Sequence, residues 1–436
     1  MASTLWNIYR VRELRGRLLV SAGLLAIYRI GIFISLPGVD HVALRRALGD
    51  MSGTLFSTIN LFSGGAFEQA SIFALGIAPY ISSSIVMQLL TVVIPTLERL
   101  QKEGEAGRRR INAYTRYGTI GLSLIQGFGV ANLLAQGPGG VRVVDEPTFG
   151  FFAMTMLTLM AGTTFVMWLG EQITERGLGN GTSLIIFAGI VAQLPAGVTN
   201  TIHYVRGDMV QPLALLAMLL LVPLVIAGII FCEQAQRRIP VQYARRGQAG
   251  GGAVGRQSHL PLKINTSGVI PPIFAATILM FPATVASFFK GSFSEQVQQF
   301  LRVDSWFYNS AYVLLIVFFC YFYTAVTFNP VDVADNLKKY GGFIPGIRPG
   351  KKTAEYIDKV LSRITLGGAL YLSAICVLPT LLASRFDMPF RFGGTGLLIV
   401  VGVGLDTVRQ IESHLITQHY DGFAGRRGPR IRGRRP

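Results

Sequence analysis

Charge is what this chain has least of. Charged residues fill 14% of its 436 positions, against roughly a quarter in soluble domains. Apolar residues reach 50% and mean hydropathy is +0.46, which disfavours a soluble domain and favours a polytopic membrane protein. Cysteine is confined to Cys232, Cys320 and Cys376, in or beside apolar runs and with no CxxC pair, so no disulfide or zinc framework follows. His41, His203, His259, His414 and His419 are scattered, with no HExxH and no cluster with carboxylates at ligand spacing. A catalyst should show a nucleophile, a base or a metal set, and none emerges; no enzyme, cofactor or metal is expected. Gly177-Leu178-Gly179-Asn180-Gly181 is glycine-rich, but it follows an apolar run rather than a strand and lacks a phosphate-binding lysine, so it reads as a tight turn. Strand-like alternation is weak throughout.

Long apolar runs are abundant instead. Ten segments are candidate spans, at about 18–36, 72–94, 117–136, 150–170, 182–202, 211–232, 268–289, 310–329, 364–383 and 394–413. The first is long for a signal sequence and no small-residue cleavage site follows it, so it is taken as retained. The net charge of +17 invites a nucleic-acid reading. Its distribution argues otherwise, because with the amino terminus inside, 31 of the 40 Lys and Arg fall on the cytoplasmic side of these spans. That is the positive-inside rule. It places both termini in the cytoplasm and explains most of the charge without an anionic ligand.

One run is broken. Ile59 to Val93 reads INLFSGGAFEQASIFALGIAPYISSSIVMQLLTVV, interrupted by Gly64-Gly65, Glu68-Gln69, Gly76 and Pro79. The span proper is expected from about Ile72. The piece from about Asn60 to Ala70 is too short and polar to cross a bilayer, and broken backbone at membrane depth is tolerated only inside protein or beside water. A re-entrant segment follows, with an interfacial loop as the alternative. Ten spans with both ends inside divide into two sets of five of opposite sense, so inverted repeats are possible. Gly76-Ile77-Ala78-Pro79 opens span two and Gly268-Val269-Ile270-Pro271 opens span seven, the equivalent place. Domains are accordingly expected at 1–202 and 203–416, with a basic tail at 417–436. Arg29 stands within span one, where pairing with a backbone group or a carboxylate is its expected role. Ile77 and Ile81, Ile186 and Ile190, and Ile273 form branched apolar stripes. Packing accounts for such stripes, although hydrophobic constrictions also gate pores.

Three cytosolic loops are longer than their helices need: 95–116, 233–263 and 330–363. They suggest a docking surface for a large, anionic partner, with attraction to anionic lipid the competing reading. The turn Gly346-Ile347-Arg348-Pro349-Gly350 displays one arginine between conformational punctuation.

With these residues in view, the chain resembles the SecY family, the central subunits of bacterial protein-translocation channels. The resemblance runs from span one to span ten. It rests on FSGGAFEQASIFALGIAPYISSSIVMQLL, WLGEQITERGLGNGTSLIIFAGI, SHLPLKINTSGVIPPIF and NPVDVADNLKKYGGFIPGIRPG. It implies an all-α membrane protein with an hourglass pore between two inverted five-helix halves. The family's constriction ring corresponds to Ile77, Ile81, Ile186, Ile190, Ile273 and Ile399. Its plug, a re-entrant helix, corresponds to about Asn60 through Ala70, including Phe62, Gly64, Gly65, Phe67 and Glu68. Its lateral gate, spans two and three against seven and eight, makes Gln88, Gln126 and Asn265 candidate seam residues. Docking is implied for Arg348, Lys338, Lys339, Arg237, Arg238, Arg245 and Arg246. The implied partners are SecE and SecG, the SecA motor, the ribosome, signal sequences and nascent chains, and membrane lipid, with no nucleic acid beyond ribosomal RNA. The implied place is the bacterial plasma membrane. Two departures stand out: Gly250-Gly251-Gly252 at a loop tip where relatives carry bulkier or basic residues, and the arginine-rich tail. A small-solute transporter with inverted repeats is the main alternative. It predicts charges at mid-membrane, and the chain shows almost none.

Overall fold

The computed structural model describes residues 11–50, 60, 62–137, 141–144, 147–207, 212–243, 258–286, 296–297, 300–302, 305–385 and 394–424. Arg245, Arg246, Gly250-Gly251-Gly252 and the end of the tail lie outside them.

Ten helices fall on the ten expected spans: α1 (Arg12–Gly31), α3 (Ala78–Val93), α5 (Glu105–Gln136), α6 (Phe149–Arg176), α7 (Gly181–Arg206), α8 (Pro212–Gln234), α9 (Ile270–Ala286), α10 (Trp306–Thr327), α12 (Lys351–Arg385) and α13 (Gly394–Ala424). Three shorter helices join them: α2 (His41–Asp50), α4 (Pro95–Lys102) and α11 (Pro330–Lys339). Among the described residues, six helices are long and apolar enough to cross a membrane unaided, and α3 with α4 makes a seventh if the bent pair is one span. The 100° bend between them has a local cause. Ile94 precedes a proline, which disfavours the helical region, and it adopts φ −99°, ψ 114° before Pro95 opens the next helix. At 1.5 Å per residue, the 32 residues of α5 outrun a hydrocarbon core of about 30 Å, so its arginine-rich first turns stand outside the lipid.

Small side chains let the helices close up. Thr115, Thr119, Ser123, Gly127 and Ala131 recur every four residues along α5 and are all buried. That stripe admits α3 and α6 at short range, as small residues do where lipid supplies no hydrophobic drive between helices. Ser83 Oγ donates to the Thr115 carbonyl at 2.7 Å, tying α3 to α5. In the second half, α9, α10 and α12 pack in turn, and the Tyr312 hydroxyl lies 2.9 Å from Thr395 Oγ1 and 3.3 Å from the Pro272 carbonyl. Principal contacts between the first five spanning helices and the last five occur at two places: α9 against α3 and α5, and α13 against α7.

The two Gly-x-x-Pro openings share a backbone solution. Gly76 and Gly268 take φ of +54° and +64°, each two residues before its helix begins, with Pro79 and Pro271 second in α3 and α9. Glycine reaches that region without strain and proline is tolerated where its missing N–H has no partner to lose. Span two therefore starts at Ala78, not near Ile72: Ser63 through Ile77 runs in successive turns, with Ser71 bridged to Ser35.

The connecting loops carry a feature that weak alternation concealed. Strands β1 (Gln236–Tyr243), β2 (Ser258–Lys263) and β3 (Gly342–Phe343) form an antiparallel sheet in the order β2-β1-β3. It joins the loop after α8 to the loop after α10. Ile239, Leu262, Ile344 and Ile357 make its apolar underside against α12.

Candidate functional site

Four elements contribute isoleucines to one buried apolar cluster. Ile77 and Ile81 come from the start of α3, Ile186 and Ile190 from α7, Ile273 from α9 and Ile399 from α13. All six are at most 9% exposed and belong to one apolar cluster. None of the six side chains offers a hydrogen-bonding group, so these six give no polar handle to anything that crosses them. Leu184, Ile185 and Leu398 are buried in the same cluster, and burial alone does not separate them from the six.

Phe62 and Ala66 of the broken stretch are members of that cluster too. This stretch is held largely through its main chain. The Tyr28 hydroxyl donates to the Ser63 carbonyl at 2.9 Å, Arg29 Nη1 to the Gly64 carbonyl at 3.0 Å, and Gln193 Nε2 to the Asn60 carbonyl at 2.9 Å. Arg29 has thus met a backbone group, the first of the two partners expected for it. Internally, the Asn60 side chain takes the Glu68 N–H at 3.1 Å and donates to the Glu68 carboxylate at 3.2 Å. Ser63 Oγ accepts from the Phe67 N–H at 3.3 Å. The far end is clamped by the Leu36 N–H to the Ala70 carbonyl, 2.7 Å, and by the Ile72 N–H to the Ile34 carbonyl, 3.0 Å. Gly64, at φ +68°, lies against α7 where a Cβ would fall 2.6 Å from the Gly189 Cα. Gly65 adopts φ +89° and Phe67 is buried in a neighbouring cluster with Leu36 and Leu134.

Tyr28, Gly189 and Gln193 were not singled out by sequence reasoning. The signal was faint: Tyr28 abuts Arg29, and Gln193 is an amide one turn beyond Ile190 in an apolar helix.

The polar seam candidates are spread along their helices. Gln88 is half-buried on α3, donating to Ser84 Oγ at 3.3 Å, and Gln126 is half-buried on α5. Asn265 is buried just before α9, donating to Glu233 Oε1 at 2.5 Å and to the Gly268 carbonyl at 3.0 Å. Arg409 Nη2 donates to the Glu233 carbonyl at 2.9 Å, joining α8, the approach to α9, and α13. The hydrogen bonds of Asn265 thus run within the second half.

The three-stranded sheet and its surroundings carry the basic candidates. Arg237 and Arg238 on β1, Lys338 and Lys339 at the end of α11, and Arg348 are all exposed. Gly346 and Gly350, at φ +79° and +102°, bracket Arg348, and Thr353 Oγ1 holds its carbonyl at 3.0 Å. The backbone is fixed while the guanidinium points outward.

Comparison with known proteins gives a consistent answer. The SecY family model matches residues 71–408. The protein translocase subunit SecY of Escherichia coli (strain K12) is 49% identical over 413 residues, covering 94% of this chain and 93% of its own. A solved protein conducting channel aligns with TM-score 0.67 at 16% identity, over 94% of this chain and 95% of that one. A second solved structure concerns a SecY plug domain that stabilises the closed state of the translocation channel and maintains a membrane seal; it aligns with TM-score 0.64 at 17% identity, with the same coverage. At such identities the structural likeness speaks for the fold.

Proposed function

The chain belongs to the SecY family, and from that premise we propose how its waist, plug and seam pass an unfolded polypeptide. It is a multi-pass membrane protein and a protein-conducting channel, not an enzyme. The pore lies between residues 1–202 and 203–416, which move as two halves, with 417–436 a cytosolic tail. Its waist is the ring of Ile77, Ile81, Ile186, Ile190, Ile273 and Ile399, and residues 60–70 are the plug. The single observation carrying this reading is that all six isoleucines share one buried cluster with Phe62 and Ala66.

A ring without hydrogen-bonding groups is a deformable gasket rather than a binding site, so it tolerates any passing sequence. The seam where α9 meets α3 and α5, with α10 beside it, is the lateral exit in this reading, with Gln88, Gln126 and Asn265 as its polar candidates. Once it opens, each segment partitions. A Leu, Ile or Phe gains roughly 0.3 to 0.6 kcal/mol at mid-membrane, while Arg, Lys or Asp costs about 2.5 to 3.5. About 20 apolar residues leave sideways and polar stretches continue across. Arg237, Arg238, Arg245, Arg246, Lys338, Lys339 and Arg348 form the docking face for the SecA motor and the ribosome. SecE embraces the halves, SecG sits peripherally, signal sequences and nascent chains are the cargo, and the seat is the bacterial inner membrane with both termini cytoplasmic. The transporter alternative needed ionisable groups free for a solute, and Arg29 is engaged with the Gly64 carbonyl.

The test is ion conductance of the reconstituted complex with and without residues 61–70. The deletion inserts normally and leaks at rest; a bilayer as tight as wild type overturns the plug.

A further inference from the structure

We propose that Tyr28, Arg29 and Gln193 are a latch that holds the plug seated by its main chain, with Arg29 the dominant member. The proposal rests on residues 60–70 being the plug. Three side chains from two different helices, α1 and α7, each donate to a carbonyl of the same short segment, at 2.9 Å, 3.0 Å and 2.9 Å. None of the three contacts reads a plug side chain. A broken segment at membrane depth leaves carbonyls that its own turns do not fully satisfy, and the flanking helices supply donors.

The carbonyls differ in what else they have, and that ranks the donors. The Asn60 carbonyl also takes the Gly65 N–H at 2.9 Å and Ser63 Oγ at 3.3 Å, and the Ser63 carbonyl takes the Ala66 N–H at 3.4 Å. Among the described residues, the Gly64 carbonyl takes its hydrogen bond from Arg29. That bond is charge-assisted, hence the strongest of the three. The dependence is mutual, because an arginine in an apolar span is costly without a partner. Water in the outer vestibule can replace the carbonyl when the plug leaves, so the latch releases without stranding the charge. Gly189 completes the seat: a Cβ added there meets the Gly64 Cα at 3.1 Å and the Gly64 nitrogen at 3.2 Å. The guanidinium therefore engages only a chain that has come to within glycine distance of α7.

The experiment measures resting ion efflux and amide hydrogen exchange over residues 62–70, in the full complex reconstituted in vesicles. Arg29→Gln is expected to raise efflux about tenfold to a hundredfold, the worth of a hydrogen bond to a charged group, and to speed plug exchange in parallel. Arg29→Lys restores part of the seal, Tyr28→Phe gives an increase of about a few fold, and Gln193→Ala gives the smallest. In a chain already lacking residues 61–70, Arg29→Gln adds nothing, because the arginine acts through the plug. If the deletion leaks but Arg29→Gln neither leaks nor speeds exchange, the latch is overturned and the plug stands. If Arg29→Gln adds its own leak to the deletion, the arginine acts on the wall and the latch is overturned. If the deletion does not leak, the plug reading fails, and exchange over 62–70 still decides whether these donors hold the segment. Should Arg29→Gln fail to insert, Tyr28→Phe and Gly189→Ala carry the same comparison with the charge intact.

Discussion

The six isoleucines proposed as the waist and the segment proposed as the plug share one apolar cluster yet are held by opposite means. The side chains of the six isoleucines carry only methyl and methylene groups and sit in one apolar cluster. The segment at 60–70 is fixed by directional bonds from Tyr28, Arg29 and Gln193 and by glycine-to-glycine approach at Gly64 and Gly189. The hydrophobic drive between branched side chains is non-directional and sets no single arrangement, so a ring of them can deform around a cargo and close again. Hydrogen bonds lose most of their worth beyond a narrow range of distance and angle, so a segment held by them returns to one place or leaves altogether. What must yield without recognition is apolar. What must reseat in register is polar.

The largest effect that would break this contrast comes from making the waist polar. Ile81→Asn together with Ile190→Asn buries two amides among isoleucines, each costing about 1 to 3 kcal/mol if unpartnered. Resting conductance of the reconstituted complex should rise by at least tenfold while plug exchange stays slow at first; unchanged conductance would mean that the ring does not seal. Next comes the seam. A cysteine at Gln88, or in the first turns of α9, should crosslink to a stalled signal sequence, with strong labelling at α3 and α9 and background at α12. Labelling confined to α12 removes the lateral exit from this interface. Arg348→Glu tests a region remote from both waist and plug. Motor-driven export should fall several-fold while channel insertion and resting conductance stay at wild type, and unaltered export would end the docking assignment. The smallest effect sharpens the contrast most. Ile190→Leu keeps volume and apolarity and should cost less than about 1.5 kcal/mol, with no measurable leak. A leak comparable with that of the Asn pair would show that the waist depends on shape rather than on the lack of polar atoms.

Much of the frame was legible because the bilayer imposes it. Ten helices lie on ten apolar runs, since a span must be long, apolar and internally hydrogen-bonded. Gly76 and Gly268 announced matching breaks because their left-handed backbone is one that glycine alone enters cheaply. Boundaries were less legible. Span two begins at Ala78 because Ser71 pairs with Ser35, a partner 36 residues away, and no window of sequence contains both. The sheet stayed hidden for the same reason: Arg238 meets Pro261 across a long loop, and Gln242 meets Phe343 only where the loops after α8 and α10 lie side by side. The resemblance made Asn265 a seam candidate, and no stretch of sequence announced its hydrogen bonds to Glu233 and the Gly268 carbonyl.

From the sequence alone came the membrane class, the ten apolar runs on which helices lie and the apolar character of the six isoleucines. Each of these follows from composition and periodicity along one continuous stretch, against a solvent that sets a strict rule. Only the tertiary structure decided that Ile77, Ile186, Ile273 and Ile399 share a cluster, that Arg29 spends its charge on the Gly64 carbonyl, and that Gly64 rests on Gly189. Those are meetings between residues tens to hundreds of positions apart. A hydrogen bond or a van der Waals approach is settled by tenths of an ångström, which the packing of several helices determines and no single helix encodes.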